Sequence, residues 1–263
     1  MDHYIWRMEV LVHSPGDPAA LARFAASGWV LTEDPDGPTP ERLRAWADDL
    51  ARFDEGTGVL QYREETARGP VLCRSEHFVE VHPELRRYLT SGTLLDTAGR
   101  LLGEPAVLYK EKLNHKLPGG AGYSPHQDAP AYRFVEVHVS CLVAIDDATV
   151  ANGCLEVVSG AHDRVWPQDE RGCVRADVVD SMVWEPVEVR AGQTLWFHSR
   201  TPHRSGPNGS SSPRRALYPT YNAAAEGDLR DGYYRRKADE LAAVGGSRTQ
   251  VSLIGDFEGT LVG

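Results

Sequence analysis

His126-Gln127-Asp128 sets an imidazole and a carboxylate two positions apart. On an extended segment, residues i and i+2 point to the same side, so the pair can share one metal ion. A histidine from a distant strand would add a third ligand on the same face. Two imidazoles and one carboxylate suit Fe(II), because three adjacent coordination positions stay open for a co-substrate and dioxygen. Taken alone the pair is a weak signal in a chain with ten histidines. His82-Pro83-Glu84 makes the point, since it reads as a solvated helix start. Context adds weight. Gly119-Gly120-Ala121-Gly122 and Pro125 place the pair after a flexible loop. Downstream, His198 and His203 both follow the apolar segment Thr194–Phe197, so either can be the distal ligand. Arg214 stands eleven residues after His203, and its permanently charged, planar fork suits the far carboxylate of a chelating keto acid. Such an anchor has no use in a non-catalytic, cupin-like metal-binding protein. Zinc hydrolase sites seldom carry one either.

A second set of residues bears on what is bound. Lys110, Lys112, Asn114 and Lys116 alternate along one segment and so share a face if it is extended. A solvated edge strand uses lysines to discourage pairing, and that is the bland explanation. Against it, only four of the 28 basic residues are lysine, and three of those four fall in this run. An inward-facing run would give a pocket more positive charge than one keto acid needs, and the surplus suggests an anionic substrate group.

These residues must be held by a scaffold, and its texture changes near Val107. Before it, helix signals dominate. Asp17-Pro18 and Thr39-Pro40-Glu41 are start signals. Leu21, Phe24 and Ala25, then Leu43, Trp46, Ala47 and Leu50, recur at helical spacing. Pro83–Leu89 and Ser91–Leu102 predict two more helices, with Trp29–Leu31 and Phe78–Val81 as short strands. After Val107, β-rich runs alternate with Gly, Pro and Asn turns: Val107–Leu117, Val135–Ile145, Leu155–Val158, Val187–Val189, Thr194–Phe197 and Arg215–Tyr221. Asn152-Gly153 and Ala191-Gly192 mark turns between them. The expected fold is mostly β with flanking helices, built on a double-stranded β-helix or jelly-roll core of the cupin type. With no linker or repeat, residues 1–263 read as one domain: helical support to about 106, core 107–222, and a polar helical tail over Asp228–Ala243.

Composition excludes several classes. A net charge of −10 argues against nucleic-acid or anionic-membrane binding, either of which needs a basic footprint. Cys73, Cys141, Cys154 and Cys173 form no Cys-x-x-Cys pair and are read as reduced and mostly buried. Neither a signal core nor a membrane-length apolar run is present, so the expected compartment is the cytoplasm and the expected partner a small molecule.

His126-x-Asp128, a distant histidine and Arg214, across Leu108 to Asn222, together resemble the phytanoyl-CoA dioxygenase superfamily of Fe(II)/2-oxoglutarate oxygenases. The resemblance implies that His126, Asp128 and His203 bind iron, with His203 preferred to His198 because Ser205, Asn208 and Arg214 follow it at the family's intervals. It also implies that Arg214 and Ser205 hold 2-oxoglutarate, with Asn114 and Tyr123 as further co-substrate contacts, and that dioxygen is the second co-substrate. Because Asp128 keeps its carboxylate, hydroxylation is implied rather than halogenation. The run Lys110-Glu111-Lys112-Leu113-Asn114-His115-Lys116 and the segment Pro125–Tyr132 are similar to aminoethylphosphonate-type hydroxylases, which oxidise the carbon bearing phosphorus. On that resemblance Lys112, Lys110, Lys116 and Tyr132 are the expected substrate contacts. The same chemistry on another small amine, acid or carrier-bound intermediate, by hydroxylation, desaturation or epoxidation, is the alternative.

Overall fold

The computed structural model describes residues 10–53, 56–67, 69–132, 135, 137–244, 248–250 and 258–261. Its strands are β1 (Val12–His13), β2 (Trp29–Glu33), β3 (Leu60–Thr66), β4 (Gly69–Glu76), β5 (Ala106–Lys110), β6 (Lys112–Asn114), β7 (Tyr123–His126) and β8 (His138–Ala144). They continue with β9 (Leu155–Val157), β10 (Glu185–Val187), β11 (Gln193–His198), β12 (His203–Ser205), β13 (Ala216–Leu217), β14 (Thr220–Ala223), β15 (Arg248–Gln250) and β16 (Glu258–Leu261). The helices are α1 (Pro18–Ser27), α2 (Pro40–Ala51), α3 (Pro83–Thr90), α4 (Thr93–Leu102), α5 (Ala176–Val179) and α6 (Arg230–Val244).

Helix starts follow local chemistry. The Asp17 carboxylate accepts from the Ala19 N–H at 2.8 Å and the Thr39 hydroxyl from the Arg42 N–H at 3.4 Å, each just ahead of a proline at the first helical position. Gly28 ends α1 at φ +80, and a Cβ there would lie 2.6 Å from His162 and Thr201 atoms, so only glycine fits.

The two sheets explain the alternation in the sequence. The larger one runs β1-β2-β11-β8-β13-β6-β4-β3-β16-β15, with β14 joining β5 to β8; the smaller runs β10-β9-β12-β7. In β8, Val139, Cys141 and Val143 pack with Leu43, Trp46, Leu85, Leu89 and Ala98 of the helical layer. The intervening Leu142 and Ala144 join Leu155 and Val157 of the smaller sheet. Their polar counterparts in the same strand, His138 and Ser140, are also buried. A strand that is apolar on both faces at one end and polar inward at the other marks where the core stops and the site begins. The architecture is the expected jelly roll with a helical layer outside one sheet.

Three expectations need correction. Phe78–Val81 is a turn, held by the Glu111 carboxylate, which accepts from the Phe78 and Val79 N–H groups at 2.9 and 3.2 Å. The hairpin β3–β4, inside the segment expected to be helical support, escaped the sequence reading because most of its buried positions are polar, Gln61, Glu64, Arg74, Ser75 and Glu76, with Tyr62 and Cys73 the apolar ones. The run expected from Val107 to Leu117 is two strands broken at Glu111. The tail helix forms as expected, yet buries Tyr233, Tyr234 and Lys237. All four cysteines are free and buried. No helix among the described residues is long and apolar enough to cross a membrane.

Candidate active site

Antiparallel pairing of β7 with β12 puts His126 directly opposite His203, with ring centroids 4.2 Å apart. Asp128 follows β7, where the Ala129 N–H donates to Ser199 O at 2.8 Å. One ligand atom from each of His126, Asp128 and His203 lies within 4.8 Å of the others, and all three residues are buried in one cluster. Gln127 points away: its amide donates to Arg164 O and Arg200 O, and its Oε1 accepts from the Trp166 N–H. The i, i+2 alternation thus aims the metal-binding types one way and anchors two loops on the other side.

Each ring is oriented by its far nitrogen. His126 Nδ1–H donates to Ser124 O at 2.7 Å and His203 Nδ1–H to Thr201 O at 3.0 Å, which leaves both Nε2 atoms as acceptors. Asp128 Oδ2 accepts from Ser140 Oγ at 3.0 Å, while Oδ1 lies 3.9 Å from His126 Nε2. Burial and the neighbouring His203 push His126 down to about 3, and burial likewise lowers His203. Burial opposes the Asp128 charge, yet His203, Lys110, Lys112 and His126 hold its carboxyl below the usual range. Neutral imidazoles beside an ionised carboxylate are the protonation states a divalent cation requires. His198 lies elsewhere, packed against Phe24 and His162, with its Nδ1 accepting from the Arg200 N–H at 3.0 Å.

Beyond the triad, a cationic wall continues. Arg214 is fully buried; Nη1 donates to Tyr218 OH at 2.8 Å, while Nε and Nη2 have no partner among the described residues. A buried guanidinium edge with two free donors fits a carboxylate of a bound keto acid. Ser205 Oγ accepts from Lys116 Nζ at 2.9 Å. Arg74, which the sequence reading missed, joins the two remaining expected co-substrate contacts: Nε donates to Asn114 Oδ1 at 3.0 Å and Nη2 to Tyr123 OH at 3.1 Å. Glu76, Lys237 and Ser140 were missed as well. For Ser140 there was a signal, a polar residue at alternate positions of an otherwise apolar strand.

The shared face of the lysines does point inward, but its members part company. Lys110 Nζ donates to Tyr132 OH and sits 4.1 Å from that ring's centroid. Lys112 is half-buried, with its ammonium over the Tyr218 ring at 5.3 Å, and that ammonium has no hydrogen bond or ion pair among the described residues. Both feel the Asp128 charge. Burial pushes Lys110 down to about 8 and lowers Lys112 as well, with Lys110 adding to it. Lys116 does not join them. Four residues further along is roughly 13 Å at about 3.3 Å per residue, and there its Nζ donates to Ser205 Oγ and Gly206 O. Its neighbours place it at the Arg214 end instead. Tyr132, expected to touch substrate, is 3% exposed within an aromatic cluster with Tyr109 and Tyr233.

The family model described as phytanoyl-CoA dioxygenase matches residues 27–216. A methylphosphonate hydroxylase of Gimesia maris is 41% identical over 245 residues, covering 91% of this chain and 94% of the relative. A 2-aminoethylphosphonate dioxygenase of an uncultured bacterium is 33% identical over 205 residues, 76% of this chain and 78% of its own. Among solved structures, the non-haem α-ketoglutarate-dependent epimerase SnoN from nogalamycin biosynthesis superposes with a TM-score of 0.65 at 26% identity, covering 79% of this chain and 85% of its own. EctD from S. alaskensis with 2-oxoglutarate and 5-hydroxyectoine gives 0.69 at 20% identity over 84% and 83%, a likeness of fold.

Proposed function

The chain belongs to the phytanoyl-CoA dioxygenase family, and from that footing we propose that it hydroxylates the carbon bearing phosphorus in a small phosphonate. It is an iron- and 2-oxoglutarate-dependent dioxygenase. When bound, iron with 2-oxoglutarate and dioxygen supplies the oxidation that converts the co-substrate to succinate and carbon dioxide while one oxygen atom enters a C–H bond. This chain contributes positioning and exclusion of water.

His126, Asp128 and His203 are the iron ligands in this reading. Ser124 O and Thr201 O fix the two ring orientations, and Ser140 fixes the carboxylate. Arg214 takes the far carboxylate of 2-oxoglutarate, with Ser205 beside it; Asn114 and Tyr123 line the path to the metal, tied together by Arg74. Lys112 takes the phosphonate. The observation that carries the substrate assignment is the Lys112 ammonium, half-buried, without an anionic partner among the described residues, and in the field of the ligand cluster. A desolvated cation of that kind is stabilised by an anion arriving with substrate. The 41% identity to a methylphosphonate hydroxylase over nearly the whole chain supports the same anion.

Succinate release by the iron-loaded protein should rise with methylphosphonate and stay at background with a panel of amino acids. Phosphorus NMR should show the α-hydroxylated product. Stimulation by an amine or amino acid, with none by any phosphonate, would refute the assignment while leaving the oxygenase class intact.

A further inference from the structure

Lys237 is the one lysine outside the Lys110–Lys116 run, and α6 turns it inward rather than to solvent. It is 6% exposed, its ammonium is ion-paired with Glu76 Oε2, and it lies 5.1 Å from the centroid of the Tyr62 ring. The other oxygen of Glu76 accepts from Arg74 Nη1 at 3.3 Å. β4 pairs with β6 so that Glu76 lies opposite Lys112 and Arg74 opposite Asn114. Around these strands the four cations Arg74, Lys110, Lys112 and Lys237 outnumber the carboxylates of Glu76 and Asp128, whose charges Lys110 and Lys112 both feel. Both oxygens of Glu76 are taken by side chains of the protein. In Asp128, Oδ2 is held by Ser140 and Oδ1 belongs to the triad. Lys110 and Lys112 have no anionic hydrogen-bond partner among the described residues.

This balance suits a ligand that brings negative charge and nothing else. A phosphonate dianion offsets the surplus, whereas an ammonium on the carbon chain would meet four cations and no open carboxylate. Resting on the phosphonate reading above, we propose that the site selects phosphonates whose carbon chain carries no cation. Lys237 is the specificity residue, because it occupies the carboxylate of Glu76 that would otherwise receive a substrate amine. The substrates named for the two phosphonate relatives differ in this charge and also in chain length, so the test holds size constant.

The test uses the isosteres n-propylphosphonate and 2-aminoethylphosphonate, equal in size and different in charge, with methylphosphonate as reference. Dissociation constants measured without oxygen by calorimetry, and kcat/KM for hydroxylated product, should favour the propyl compound by on the order of 100-fold. Lys237→Met should narrow that ratio about tenfold or more by improving the amine, since Glu76 is then open to it. Lys237→Arg should keep the wild-type ratio. Equal handling of the two isosteres by the wild-type protein overturns the proposal whether or not any variant folds. So does a Lys237→Met variant that loses both alike while retaining 2-oxoglutarate binding. If methylphosphonate serves and neither isostere binds, size sets the choice and the proposal fails. No turnover of methylphosphonate refutes the phosphonate reading itself.

Discussion

His126 and His203 present Nε2 to a common point because each ring gives its Nδ1 proton to a main-chain carbonyl two residues earlier. His203→Ala should therefore abolish iron binding and turnover. His198→Ala, which loses only a packed ring and a turn hydrogen bond, should retain both; the reverse pattern in iron titrations would move the distal ligand. For Lys112, removing a desolvated charge that pairs with substrate should weaken phosphonate binding by about 2–4 kcal/mol, while a solvated lysine contributes almost nothing. Lys112→Gln should match Lys112→Ala, with 2-oxoglutarate affinity unchanged in both. Lys116 carries a separate expectation. Burial, then Arg214, pushes it down to about 6, so an anion binding beside Arg214 recruits a proton to it above that pH. Affinity for 2-oxoglutarate should then fall as pH rises from 6 to 8, and Lys116→Met should flatten the slope. A slope identical in the variant would remove Lys116 from the co-substrate end.

At the scale of elements, the site depends on β7 lying close against β12. Gly122 precedes β7, and a Cβ there would meet Ser205 O at 2.4 Å, which no rotamer can relieve because the obstacle is backbone. Gly122→Ala should force the two strands apart where His126 faces His203. Iron affinity should drop at least tenfold, with a smaller change in Tm. Equal iron affinity would show that the strands can separate without moving the ligands. The last helix is tied to the sheet by a different device. Arg230 pairs with the fully buried Glu111 carboxylate at 2.7 Å, and Tyr234 OH donates to Glu111 O at 2.9 Å. Arg230→Met leaves a buried carboxylate without its cation, a change that destabilises by about 3–5 kcal/mol. Chemical denaturation should reveal it as a lower midpoint at unchanged m-value.

The molecule as a whole carries its acid sensitivity in buried neutral histidines. His115, hydrogen-bonded to Ser75 Oγ, and His138 are each pushed down to about 3, first by burial. Between that value and 6.5 the unfolded chain binds protons that the folded one does not, so stability falls as pH falls through this window. Glu76, held at about 2 by Lys237 and Arg74 against the opposing effect of burial, contributes in the same direction. Its stabilisation is full above 4.5 and is lost as pH drops toward 2. His115→Gln should reduce the slope of unfolding free energy between pH 6 and 4 by about 1.4 kcal/mol per pH unit. An unchanged slope would show that His115 titrates normally in the folded state. The same charges shape recognition. An acidic chain of net −10 gathers its lysines inside, so the cationic wall acts at short range on what enters the site rather than on distant polyanions.

Short-range chemistry made much of this legible in the residue order. Two-residue alternation set His126 and Asp128 on one side, Asp17-Pro18 and Thr39-Pro40 started helices where the caps form, and apolar periodicity marked the helical layer and the strands that cover it. The scarcity of lysine set Lys110, Lys112 and Lys116 apart in the residue order. What alternation could not supply was distance along the shared face. Tertiary structure sent Lys116 to the Arg214 end and closed Tyr132 into an aromatic cluster. Nor could pattern reveal the hairpin β3–β4, since a strand that lines a charged site shows polar residues where a core strand shows apolar ones. Long-range pairing alone brought Lys237 to Glu76 across 161 positions. Local sequence encodes which way a side chain faces; only the folded chain decides which distant charge it meets there.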